Sequence, residues 1–230
     1  MINPAAKGYV SQIYSGSAVD GPGLRCVVFL SGCNLRCPFC HNPETFLQQN
    51  GEMMTAQQTA EKVLRYKSFI KDGGVTFSGG EPFMQPRFVL STMAILKAEG
   101  IHCAVQTNAT LPDTRLISAA DLIIADVKNF DGKILQGTEE FLRQCNDKGV
   151  AVWLTNVIVR GVNDDLASLK EIKLLASRFD NVQKMMFLPF KKYCTDKYQK
   201  LNMDFPYADK PETEAQHIAS VKRLYDSIEI

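Results

Sequence analysis

Residues 20–45 read DGPGLRCVVFLSGCNLRCPFCHNPET. The apolar, β-branched run from Leu24 to Leu30 reads as a buried first strand that delivers the chain to a loop carrying Cys33, Cys37 and Cys40. The spacing C-x3-C-x2-C offers three thiolates where a tetrahedral metal ion or a cubane cluster takes four ligands. One position is left for something other than these cysteines, which points to chemistry rather than to a structural staple. The competing reading is a zinc site completed by His41 or by one of Cys26, Cys103, Cys145 and Cys194. Those four cysteines stand singly, and none repeats the C-x2-C pattern. Seven cysteines is an odd number in a chain far above mini-protein size, which speaks against a disulfide framework.

On either side of this stretch, short β-branched runs alternate with helical ones, the pattern of βα units around a parallel sheet. Further strands are expected at Val75 to Phe77, Ile101 to Gln106, Leu122 to Ala125, Ala151 to Val159 and Lys184 to Phe190. Thr55 with Gln58 three residues on forms a capping box for a helix that Asp72-Gly73-Gly74 ends. Other helices are expected at Pro86 to Glu99, Thr138 to Lys148, Leu166 to Arg178 and Thr213 to Tyr225, the last with Ile218, Val221, Leu224 and Tyr225 on one face. Six such units are too few to close an eight-stranded barrel, yet each candidate site residue falls just after a strand, on the rim where parallel barrels gather their active sites. The expected fold is α/β, an open partial (β/α)6 barrel, in a single domain over residues 1–230 with a C-terminal extension from about residue 191. Within that extension Tyr193 to Tyr207, polar and interrupted by a proline, is expected to be a mobile loop.

At 230 residues, 45% hydrophobic and 22% charged, the composition is that of an ordinary globular protein. A net charge of +1 gives no electrostatic case for nucleic acid or an anionic membrane as partner. No apolar run follows a basic patch at the start, and no stretch approaches the length that spans a bilayer, so the cytoplasm is the expected location.

With SGGEP at residues 78–82 and DVK at 126–128, the opening run resembles the radical S-adenosylmethionine (SAM) enzymes. The strings VDGPG and CHNPET narrow the likeness to the activating enzymes of glycyl radical enzymes, the family typified by pyruvate formate-lyase activating enzyme. The resemblance implies that Cys33, Cys37 and Cys40 hold a [4Fe-4S] cluster whose fourth iron takes the amino and carboxylate groups of SAM. An electron then cleaves SAM to methionine and a 5′-deoxyadenosyl radical, which removes a hydrogen from a backbone glycine of a large partner enzyme. It further implies that Phe39, Ser78, Gly79, Gly80, Glu81, Thr107, Asp126 and Lys128 bind the cofactor, and that Asp20 meets the incoming glycyl peptide. No side chain is assigned as catalytic, because radical abstraction needs no general base. The implied partners are the glycyl radical enzyme and a flavodoxin or ferredoxin as electron donor, with the chain acting as a monomer, an oxidoreductase under anaerobic conditions.

Plainer roles compete at several positions. Gly-Gly is common in strand-to-helix turns, Asp126 would serve as a helix cap, and Asp20 as an ordinary turn residue. Arg25 would carry charge near the cluster or be a solvated cation at the start of its strand. His41 and Asn42 belong to the signature without a proton-transfer role. Cys26, Cys103 and Cys145 are most simply small residues inside elements, while Cys194 lies near the rim. The stretch between Cys40 and Gly79 holds no cysteine, so the ferredoxin-like insert of some activases is absent. Three departures set the chain apart from pyruvate formate-lyase activase itself. Gln106 stands where close relatives carry an aspartate able to help hold a monovalent cation, Lys191 stands where an adenosyl-contacting histidine is expected, and no arginine lies near Thr155. Two other readings are a radical SAM enzyme acting on a small molecule, like the carboxydeazaguanine synthases, and an iron-sulfur electron carrier or zinc-stabilised module with no turnover.

Overall fold

The computed structural model describes residues 3–130 and 133–230. Of the expected domain span 1–230, residues 1, 2, 131 and 132 thus lie outside the described residues. In chain order the elements are β1 (Lys7–Ser17), β2 (Arg25–Leu30), β3 (Glu52–Thr55), α1 (Ala56–Leu64), β4 (Gly74–Gly79), α2 (Pro86–Ala98), β5 (Cys103–Thr107), α3 (Thr114–Ala119), β6 (Leu122–Asp126), α4 (Thr138–Asp147), β7 (Val152–Ile158), α5 (Leu166–Ala176), β8 (Val182–Pro189), α6 (Thr195–Lys200) and α7 (Ala215–Ser227).

The strands form a sheet in the order β3-β1-β2-β4-β5-β6-β7-β8. From β2 to β8 every neighbour is parallel, and the outer ends of the sheet do not meet. These six parallel strands are the six expected from the sequence, and the open partial barrel is borne out. Alternation along each strand sorts its side chains between two layers. Cys26, Val28, Phe77, Val105, Ile123 and Leu154 face the helices and join one large buried cluster. Ala104, Leu122 and Ile124 form a smaller one with Ala151 and Trp153 on the inner face.

Two strands escape the sequence reading. β1 is antiparallel to β2, and the four-residue β3 is antiparallel to β1. They are rich in Ser, Gly, Gln and Met rather than in β-branched residues, so their pattern is faint. Thr55 caps α1 through the expected capping box, its hydroxyl accepting from the Gln58 amide at 3.1 Å while the Gln58 side chain accepts from the Thr55 amide at 2.9 Å. The helix ends at Leu64, earlier than expected, and turns carry the chain on to Gly73. The short helices α3 and α6 were not expected. α6 falls within residues 193–207, where a mobile loop was expected. Cys194 and Tyr198 are buried there, and the Tyr198 ring lies 4.9 Å from that of Phe205. Reading the segment by its polar residues overlooked the spacing of its aromatic ones.

Among the described residues no helix is long and apolar enough to cross a membrane. Replacing the capping hydroxyl, Thr55→Ala, is expected to lower unfolding free energy by about 1 kcal/mol, read as a shifted urea midpoint with unchanged slope.

Candidate functional site

β2 ends at Leu30, and the loop that follows is closed at its root by two backbone hydrogen bonds, Gly32 N–H to Thr45 O at 2.7 Å and Cys33 N–H to Phe46 O at 3.2 Å. Inside it the Cys40 amide donates to Cys37 O at 3.0 Å. The Leu35 amide donates to Cys33 Sγ, and that of Asn42 to Cys40 Sγ, each at 3.4 Å. The end of β4 presses on the loop's root, where Gly80 N–H donates to Leu30 O and Glu81 N–H to Gly32 O, both at 2.8 Å. A Cβ on Gly80 would lie 2.3 Å from Gly32 O, and one on Gly79, whose φ is +101°, would lie 2.4 Å from Leu30 N. Both positions therefore require glycine for backbone packing against the loop, whatever ligand they face.

Loop and strand ends enclose a cavity of about 330 Å³. Cys33, Cys37, Phe39 and Cys40 line it, with Ser78 and Gly79 at the end of β4, Gly80 just after it, Thr107 at the end of β5, Asp126 and Lys128 at the end of β6, and Asp20 from the turn between β1 and β2. Every expected site residue but Glu81 thus borders one space. His41, Asn42 and Asn108 border it as well, as do Phe29, Gln106, Val157, Leu188 and Pro189. Of the last five, Phe29, Gln106, Val157 and Leu188 could have been found by projecting alternate positions at the strand ends, whereas Pro189, next to Leu188, could not.

Glu81 lies behind the wall, fully buried. Its Oε1 accepts from the Phe83 amide at 3.0 Å and from the Thr107 hydroxyl at 2.8 Å, and its Oε2 accepts from the Asn108 amide at 2.8 Å. The carboxyl secures the turn after β5. Asn108 then extends its amide to Asn34 Oδ1 at 2.9 Å and lies 4.0 Å from Cys33 Sγ. Burial pushes the Glu81 carboxyl up to about 7, with the three donors pulling the other way.

Lys128 is almost fully buried, pairs with Asp126 Oδ2 at 2.6 Å and lies 5.2 Å from the centre of the Phe39 ring. Burial pulls its ammonium down, but Asp126 and the nearby Cys37 and Cys40 outweigh it and hold the group above the usual lysine range. Asp126 Oδ1 and Thr155 Oγ1, on residues paired across β6 and β7, are buried without a hydrogen-bond partner. Gln106 Oε1 accepts from the Ser78 hydroxyl at 2.9 Å. Lys191 lies outside the cavity lining and pairs with Glu212 at 3.1 Å. Arg25 is neither beside the cysteines nor solvated: it is fully buried at the opposite end of β2. Cys26, Cys103, Cys145 and Cys194 are buried too.

The C-terminal segment closes over the cysteine loop. His41 Nε2–H donates to Lys191 O at 2.7 Å, and Lys197 Nζ donates to Asn42 Oδ1 at 2.9 Å and Glu44 Oε1 at 2.5 Å. Phe39 packs edge-on against Phe130 at 5.5 Å and lies 6.2 Å from Tyr207.

The Radical SAM superfamily profile matches residues 27–171. The chain belongs to the radical SAM superfamily. It is 36% identical over 214 residues to the pyruvate formate-lyase-activating enzyme of Clostridium pasteurianum, covering 88% of this chain and 90% of that one. To the enzyme of the same name from Staphylococcus epidermidis it is 34% identical over 233 residues, with 91% and 92% covered. Its fold is similar to that of QueE from Escherichia coli, with a TM-score of 0.59 at 15% identity over 86% of this chain and 92% of that one.

Radical SAM enzymes use a [4Fe-4S] cluster and SAM. The chemistry of the donors here fits that pair. Burial raises all three loop thiols, Cys40 to about 12, so they need a metal cation to draw off their protons. The orphaned oxygens of Asp126 and Thr155 call for a polar ligand beside them. Among the described residues no three His, Cys, Asp or Glu side chains already stand grouped around a single ion position, so the fit rests on donor chemistry.

Glu81 also makes stability depend on pH. Its folded value of about 7 lies above the ordinary 4.5, so its contribution is full below pH 4.5 and is lost as pH rises through 7, a fall of about 3 kcal/mol. Urea midpoints measured from pH 5 to 8 are expected to fall in the parent chain and to run flatter in Glu81→Gln.

Proposed function

We propose that this chain activates a glycyl radical enzyme, with pyruvate formate-lyase, the enzyme named in its relatives, as the first substrate to try. The observation that carries the proposal is the meeting of Cys33, Cys37 and Cys40 with Asp126, Lys128 and Asp20 around one cavity. When bound, the [4Fe-4S] cluster and SAM supply one-electron cleavage of a carbon–sulfur bond, giving methionine and a 5′-deoxyadenosyl radical that takes a hydrogen from a backbone glycine.

The chain's own residues bind, orient and keep out water. Cys33, Cys37 and Cys40 would hold three irons as thiolates. Asp126 Oδ1 stands free to accept from a hydroxyl or amino group of SAM, while Lys128, held cationic by Asp126, offsets the negative charge that three thiolates bring. Ser78, Gly79, Gly80 and Thr107 would complete the SAM site, with Glu81 fixing the turn beneath it. Phe39, Phe190, Phe205 and Tyr207 pack as an apolar cap behind the loop, excluding water that would quench a radical. Asp20 at the cavity's edge would accept from an amide of the incoming glycyl loop. The electron donor is a flavodoxin or ferredoxin. The chain works as a cytoplasmic monomer under anaerobic conditions, as one domain over residues 1–230 with an extension from about residue 191.

The test is anaerobic reconstitution with iron and sulfide, followed by reduction and addition of SAM and pyruvate formate-lyase. A glycyl radical signal in electron paramagnetic resonance, matched by 5′-deoxyadenosine and absent in Cys37→Ala, is the expected result. 5′-Deoxyadenosine without a protein radical would move the chain to a small-molecule substrate. No 5′-deoxyadenosine from a protein holding a reduced cluster would overturn the enzyme reading.

A further inference from the structure

The turn from Ala18 to Leu24 carries Asp20 to the cavity from the strand-start end of the barrel, and it is held there by a buried cation. Arg25, at the first position of β2, is 0% exposed and has no carboxylate among its hydrogen-bond partners. Its Nη1 donates to Pro22 O at 3.1 Å and Gly73 O at 2.6 Å, and its Nη2 to Val75 O at 2.5 Å and His102 Nδ1 at 3.1 Å. Its Nε donates to Thr76 Oγ1 at 2.7 Å, and that hydroxyl donates in turn to Asp20 O at 2.6 Å. The Asp20 carboxylate accepts from the Ser17 hydroxyl on its other side.

The glycines of the turn fit the same arrangement. Gly21 has φ +130°, and a Cβ there would lie 2.9 Å from Arg25 Cδ. Gly23 has φ +70°, and its Cβ would lie 2.6 Å from Asp72 O. The turn is thus moulded over the guanidinium on one side and the Gly73 turn on the other. Burial draws the guanidinium down to about 10, which leaves it charged at neutral pH. An apolar side chain would fill this volume without the desolvation cost of a buried cation, which the charges of Asp121 and Asp20 only partly offset. What only arginine supplies is five N–H donors in a fixed plane, able to gather carbonyls from separate segments.

We infer that Arg25, acting through Thr76, is a positioning residue that fixes the place of Asp20 in the cavity, and thereby the seating of the protein substrate's glycyl loop rather than of SAM. This rests on the reading above that Asp20 meets that loop. The inner wall supports a separation of the two tasks: Thr76 lies outside the cavity lining, two residues before Ser78, which borders it.

The decisive variant is Thr76→Val, close in volume and lacking the bridging hydroxyl, with Thr76→Ser as the conservative restoration and Arg25→Met as the severe case. In the reconstituted holoenzyme, Thr76→Val is expected to raise KM for pyruvate formate-lyase about tenfold and to speed exchange of the Val19, Asp20 and Gly21 amides by a similar factor. 5′-Deoxyadenosine formed without protein substrate should stay within about twofold of the parent, and Thr76→Ser should return KM and exchange toward it. Parent-like KM and exchange in Thr76→Val would overturn the inference. So would a loss of uncoupled SAM cleavage in step with activation, since that marks a general structural role. If the parent holoenzyme does not activate pyruvate formate-lyase, it is the substrate reading that fails, and amide exchange in Thr76→Val then decides the positioning role alone.

Discussion

The site depends on one close approach of backbone to backbone. Where β4 ends, Gly80 passes so near Gly32 that a single methyl group would lie 2.3 Å from its carbonyl oxygen. That contact joins the second parallel strand to the root of the cysteine loop, and the hydrogen bonds from Gly80 to Leu30 and from Glu81 to Gly32 lock it. With the root fixed, the loop projects its three thiols over the strand ends instead of away from them. The next residue, Glu81, then reaches behind the wall to hold Thr107 and Asn108. The ends of the three strands β2, β4 and β5 are thereby tied together.

Around that frame the charges are arranged by burial. Carboxyl and thiol groups are pushed toward their neutral forms, while Lys128 is kept cationic by Asp126. A buried ammonium beside three thiols suits a site meant to carry thiolate charge, because the low local dielectric strengthens their attraction. At the other end of the barrel Arg25 shows a different solution to burying a cation, with carbonyl and hydroxyl oxygens in place of a counter-ion.

Much of this was legible in the chain. The six parallel strands follow from short apolar runs, most of them buried on both faces, and the site residues from motifs at their ends. β1 and β3 were missed because they carry few β-branched residues and much of each is exposed, which leaves little pattern. The motif around Glu81 names a neighbourhood, and only three-dimensional packing says that Gly80 borders the cavity while the Glu81 side chain is buried outside its lining. Arg25 could not be placed at all. A cation at the start of a strand is ordinarily solvated, and nothing local announces that residues 73–76 and His102 will offer it oxygens and an imidazole nitrogen. In residues 193–207 composition counts polar residues, whereas Tyr198 and Phe205 supply the packing.

The clasp of His41 on Lys191 and of Lys197 on Asn42 and Glu44 joins positions about 150 residues apart. A ribosome makes the cysteine loop early and the segment that closes it late. Throughout that interval the three thiols lack their C-terminal cover. Residues 191–207 add that cover only after the strands between have been made, and the three cysteines stay partly exposed beneath it.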